Sequence, residues 1–153
     1  MIKPIYYLTV FSSLNHAALA AARVLVALYA VFLGASPAVV GVLVALFAAV
    51  PMLGSVHLGR LVDGRRARGP LVLFVLVTSA GLLLPFFWQS TLALYLCGTL
   101  VGGGYIAVNI IVSSLAGRHG DAAQRPVNFS LIALGIAAAN GSGPLIAGFA
   151  TDH

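Results

Sequence analysis

The 153-residue chain is 61% hydrophobic and only 7% charged, with a mean hydropathy of +1.07. A soluble domain carries about 25% charged residues, so a water-facing globular surface is excluded, and four or five spanning helices of ~20 residues each leave no room for a separate soluble domain. The net charge of +5 does not mark a nucleic-acid binder: apart from Arg23, the basic residues sit at the N-terminus and in two short segments, without forming a stripe on a polar domain.

Span one is expected at 5–33. Met1-Ile2-Lys3, an apolar run and Ala18-Leu19-Ala20 resemble a cleaved secretory signal, but the run is too long and Asn15-His16 would fall in its apolar middle. From Pro4 to Gly59 the only charged residue is Arg23. Placing such a charge inside a bilayer costs roughly 2.5–3.5 kcal/mol on insertion scales. Ser12, His16 and Arg23 share one helical face, with Asn15 at its flank. This short polar stripe is expected to face a water-accessible cavity. Arg23 then binds an anionic substrate group or a carboxylate elsewhere in the protein, or else it snorkels or pairs with a neighbouring carbonyl. His16 can change charge near neutral pH, either as a proton relay or as a hydrogen-bonded packing residue.

A single helix from Pro4 to Gly59 would be roughly 84 Å long at 1.5 Å per residue, so it must turn. Gly34-Ala35-Ser36-Pro37 supplies a left-handed cap, a capping serine and a first-turn proline. Span two follows at 38–58 with Pro51 inside it. The next segment, Gly59-Arg60-Leu61-Val62-Asp63-Gly64-Arg65-Arg66-Ala67-Arg68, opens on a helix-end glycine, places an aspartate four residues later and becomes arginine-rich. Asp63 can cap a turn while the guanidinium groups pair with carboxylates or helix C-termini, which makes the loop a candidate latch between moving helices.

Span three is expected at 70–88 and span four at 92–116, separated by Phe86-Phe87-Trp88-Gln89-Ser90-Thr91, where aromatics suit the interface and polar residues suit water. Cys97, in span four, is the only cysteine, which excludes an internal disulfide. Tyr105, Asn109 and Ser113 follow at helical spacing and form a second polar stripe. It either lines a cavity or supplies interhelical hydrogen bonds. Span five, at 127–150, is interrupted by Asn140, Gly141, Ser142, Gly143 and Pro144. Gly135, Ala139, Gly143 and Ala147 share a face that permits close helix contact. Lys3, Arg60, Arg65, Arg66, Arg68, Arg118 and Arg125 all fall on one side of this topology, and no Lys or Arg falls on the other. The N-terminus is therefore expected inside and the C-terminus outside.

The segment between spans two and three resembles in part the signature loop of the major facilitator superfamily: either Gly59, Asp63 and Arg68 match it in place, with Gly64, Arg66 and Ala67 departing from its pattern, or Gly64-Arg65-Arg66 matches its later portion brought forward by a two-residue deletion. Gly143-Pro144-Leu145-Ile146-Ala147-Gly148 resembles the motif of that family's antiporter branch, with alanine for one of its paired glycines. The family's span-four arginine, linked to proton transfer, is absent from Gly98–Gly104. The resemblance implies an all-α membrane protein, with about five of twelve transmembrane helices forming an incomplete N-terminal bundle over 1–153. It also implies that spans one and four are equivalent members of three-helix repeats.

The implied function is secondary transport of a small solute by alternating access. Proton-coupled efflux is the first reading, and import or exchange of an organic anion is the alternative. A truncated or partner-dependent chain without transport of its own is the reading of another class. The site expected is Ser12, Asn15, His16, Arg23, Tyr105, Asn109 and Ser113. Gly59, Asp63, Arg65, Arg66 and Arg68 form the conformational switch, and Gly143, Pro144 and Gly148 form the span-five motif. The expected partners are the solute, the lipid bilayer of a cell membrane (the inner membrane in a bacterium) and the remaining helices. No cofactor, metal or enzymatic activity is expected. Val101-Gly102-Gly103-Gly104-Tyr105 lies in an unbroken apolar span and does not suit a re-entrant ion filter. Ser142 has no base placed beside it, and no phosphate-binding glycine loop is present.

Overall fold

Inside a bilayer every backbone polar group needs an internal partner, which for an open chain means helices. The computed structural model describes residues 4–62, 68–118 and 123–151 and contains no strand among them. Its five helices are α1 (Pro4–Phe32), α2 (Pro37–Val62), α3 (Arg68–Phe87), α4 (Thr91–Arg118) and α5 (Arg125–Thr151). Each contains a stretch long and apolar enough to cross a membrane. α2 continues beyond 58 to Val62, so His57 lies within the helix and Arg60 joins its last turn, at the negative end of the helix dipole. α5 runs unbroken through Asn140–Pro144.

The turn between α1 and α2 follows from its four residues. Gly34 adopts φ of 76°, a conformation that costs glycine nothing for want of a Cβ. Its N–H reaches Val31 O at 2.9 Å, and Ala35 N–H reaches Ala30 O at 3.0 Å, which satisfies carbonyls that the helix end leaves unpaired. Ser36 Oγ accepts from Val39 N–H at 3.5 Å, and Ser90 Oγ accepts from Ala93 N–H at 3.2 Å at the start of α4. Both serines cap the helices they precede.

α4 is the axis of the bundle. It packs along α2 and α3 and also touches α1 and α5, while α1 pairs most extensively with α5. Half of the α4 membrane window is buried, against 11% of that in α2 or α3. Leu53, Phe87, Phe149 and other large apolar side chains stay exposed, as lipid-facing surfaces should. Close packing rests on small residues. A Cβ at Gly104 would run into Thr78 Oγ1 of α3, and one at Gly143 would lie 2.8 Å from the Ala17 carbonyl oxygen of α1. The small face of α5 therefore rests on α1, with Ala139 and Ala147 buried beside Gly143.

Two apolar clusters fill the interior. One joins Leu19, Ala22, Val26 and Ala30 of α1 to Leu43 and Phe47 of α2 and to Leu94, Cys97 and Val101 of α4. The other joins Ile5 to Val108, Val112 and Ala116 of α4 and to Ile132 of α5. Between the clusters α1 carries Ser12, Asn15 and His16, and α4 carries Tyr105.

Candidate functional site

Between the two clusters, α1 and α4 meet through hydrogen bonds. Ser12 and His16 are a turn apart on α1, and both are buried, at 3% and 6% exposure. His16 Nδ1 lies 3.0 Å from the Ser12 carbonyl oxygen. A carbonyl can only accept, so Nδ1 carries the hydrogen. In the neutral ring Nε2 is then an acceptor. The Tyr105 hydroxyl of α4 lies 2.6 Å from Nε2 and donates to it. The rings meet edge to face, with centroids 4.9 Å apart and planes at 80°.

The chain continues along α4. Asn109 Nδ2 lies 3.4 Å from Tyr105 Oη and 3.5 Å from His16 Nε2. Ser113 Oγ donates to Asn109 Oδ1 at 3.5 Å. Thus five of the expected site residues, Ser12, His16, Tyr105, Asn109 and Ser113, form one connected network. The two stripes seen separately in the sequence are one seam. Asn15 is half-buried beside it and makes no hydrogen bond among the described residues.

Arg23 lies about two turns further along α1 and faces α2. Its Nη2 donates to the Phe47 carbonyl oxygen at 3.5 Å. Phe47 is four residues before Pro51, and a proline has no N–H to return to the carbonyl one turn earlier. Pro51 thus leaves the Phe47 carbonyl without its helical donor, and the guanidinium meets it. Gly102 of α4 packs at the same place, since a Cβ there would be 3.3 Å from Pro51 Cδ. Arg23 Nε is buried and has no hydrogen-bond partner. The three acidic residues Asp63, Asp121 and Asp152 lie outside the described residues, so no carboxylate faces Arg23 among those described. The Phe47 carbonyl is a site group that neither polar stripe announces, and its signal in the sequence is Pro51 itself.

Of the switch loop, Gly59 lies in α2 and Arg68 opens α3, while Asp63, Arg65 and Arg66 lie outside the described residues. In the span-five motif Gly143 sits on α1, where its Cβ position meets the backbone of Ala17, next to His16. Pro144 is exposed, and a Cβ on Gly148 would meet nothing within 4 Å.

A family model described as Major Facilitator Superfamily matches residues 7–153, a range that takes in α1 from Tyr7 onward, the other four helices and the whole polar seam. The chain matches no curated protein and no solved structure.

Proposed function

The chain belongs to the major facilitator superfamily, and from that premise we propose that it exports a small solute by alternating access in exchange for protons. The observation that carries this reading is the 2.6 Å contact between His16 Nε2 and Tyr105 Oη. It joins equivalent helices of the family's repeats at mid-span through a side chain that can take up and release a proton. The motif that resembles the antiporter branch supports export, because its Gly143 packs on the turn of α1 that carries His16. Ser12, Asn15, His16, Arg23, Tyr105, Asn109 and Ser113 are the binding and coupling residues in this reading. Gly59, Asp63, Arg65, Arg66 and Arg68 are the latch of the conformational change. The Lys and Arg residues of the short loops support an N-terminus inside and a C-terminus outside.

The five helices are read as part of an N-terminal bundle that further helices of the full transporter complete. α1 pairs with α5 much as α4 pairs with α2, whereas the contact of α3 with α4 has no counterpart on α1 among the described residues. At that place an apolar groove of about 540 Å³ runs past Leu25, Tyr29 and Phe32 of α1, Leu82 and Pro85 of α3 and Leu94 of α4.

Arg23 favours a second reading, import or exchange of an organic anion. Its buried Nε is unpartnered, and a guanidinium with donors to spare suits a carboxylate or phosphate. One experiment separates the two. Vesicles containing the protein are loaded with a panel of cationic, neutral and anionic solutes, and efflux is followed with and without an acid-outside pH gradient. Acceleration of a solute by the gradient supports proton-coupled export. Gradient-independent exchange confined to anions supports the second reading, and no flux of any solute means that this chain does not transport alone.

A further inference from the structure

We propose that protonation of His16 reverses the direction of the hydrogen-bond chain between α1 and α4 and turns over the Asn109 amide, so that Ser113 reports the charge state of α1. The inference rests on the proton-coupled reading above and specifies how the coupling is transmitted.

In the neutral ring Nδ1–H is committed to the Ser12 carbonyl at 3.0 Å, and Tyr105 donates to Nε2 at 2.6 Å. The Asn109 Nδ2 group donates towards Tyr105 Oη at 3.4 Å, and Asn109 Oδ1 accepts from Ser113 Oγ at 3.5 Å. The Nδ1, Tyr105 and Ser113 hydrogens each then have an acceptor, and Asn109 Nδ2 also lies 3.5 Å from Nε2.

A hydronium ion gives its proton to Nε2: one O–H bond breaks, one N–H bond forms, neutral water leaves and the ring becomes cationic, with no other covalent bond of the protein changed. Both ring nitrogens are now donors. The Nε2–H points at Tyr105 Oη, which must accept, so the phenolic hydrogen has to leave the His16 side. The nearby polar group on its other side is Asn109, whose NH₂ also points a donor at it. Two donors facing each other in a buried site leave a hydrogen unpaired, which costs about 1–3 kcal/mol. Rotating the amide by half a turn presents Oδ1 to the phenol and removes that conflict. Nδ2 then faces Ser113, whose hydroxyl changes from donor to acceptor.

The packing keeps this response local. His16 is 6% exposed, and its ring is held edge-on by Tyr105. Arg23 of α1 is the charged group that acts on His16 electrostatically, and Tyr105 is the titratable group that α4 presents to it. α2 and α5 present no titratable side chain to the ring among the described residues, since the α5 face against α1 is built from Gly135, Ala139 and Gly143.

The test is side-chain NMR of the full chain in nanodiscs, labelled with ¹⁵N in histidine and asparagine, from pH 4 to 9. Asn109 is identified by loss of its signal in Asn109→Asp. The neutral His16 ring should show the Nδ1–H tautomer, and the Asn109 amide signals should move with the same midpoint as His16. In Tyr105→Phe, which keeps the ring packing, His16 should still titrate while the Asn109 movement is lost. The proposal is overturned by an Nε2–H tautomer, by a His16 that does not titrate in this range, by Asn109 signals that stay fixed as His16 titrates, or by an undiminished Asn109 response in Tyr105→Phe. Failure of proton-coupled export would appear instead as gradient-independent flux, with the NMR response intact.

Discussion

His16 and Arg23 occupy the same face of α1, about two turns apart, and their surroundings differ. His16 has both ring nitrogens engaged, one by its own helix and one by α4. Arg23 makes a single 3.5 Å bond to a carbonyl that Pro51 has left without its helical donor, and its Nε has no partner. A group satisfied inside the protein contributes to the fold and to communication between helices. A guanidinium with unused donors does little for the fold, because burying an unmatched polar atom costs about 1–3 kcal/mol. His16 therefore ties α1 to α4, as the proposed coupling requires, and Arg23 keeps donors for a ligand.

Arg23→Met tests the contrast most strongly. It keeps the length of the side chain but removes the charge. Solute flux in vesicles should fall about a hundredfold, equivalent to roughly 2.7 kcal/mol, while the unfolding midpoint stays the same or rises. Arg23→Lys should recover little flux, because an ammonium lacks the guanidinium fork. A drop in stability with flux retained would make Arg23 a structural residue.

Gly143→Leu disturbs both residues together, since its side chain must displace Ala17, Ala20 and Ala21 of α1, which lie between them. It should destabilise the chain by about 1–3 kcal/mol in detergent unfolding, the usual range for overpacking. Gly148→Leu, at a position where a Cβ meets nothing within 4 Å, should stay within about 0.5 kcal/mol of the wild type. His16→Leu should lower stability by roughly 1–2 kcal/mol, because the half-buried Tyr105 hydroxyl loses its acceptor. Tyr105→Phe should cost less than His16→Leu, about 0.6 kcal/mol, the average for an interhelical hydrogen bond in a membrane.

The same pair of residues marks where sequence reasoning reaches and where it stops. Charge-free runs locate the helices because the bilayer excludes charge, and Gly34 to Pro37 states its own turn chemistry. The two polar stripes are visible from helical spacing alone. That they meet is not, because the rotation of α4 about its axis is set by glycines packed against α2 and α3. The small face of α5 announces a close neighbour without identifying it as α1. Arg23 stands out as a charge in an apolar run, but its partner is a backbone atom of another helix, and the sequence marks that atom only through the proline one turn later. Asp63, Arg65 and Arg66 carry the family resemblance and lie outside the described residues, so the latch rests on sequence.

The account turns on whether the seam between α1 and α4 carries the coupling. The most direct measurement is the initial rate of solute efflux from vesicles under an acid-outside gradient, for wild type and for His16→Gln. The account predicts that the gradient accelerates efflux in the wild type and that His16→Gln loses this acceleration. A His16→Gln protein that responds to the gradient as the wild type does would contradict it.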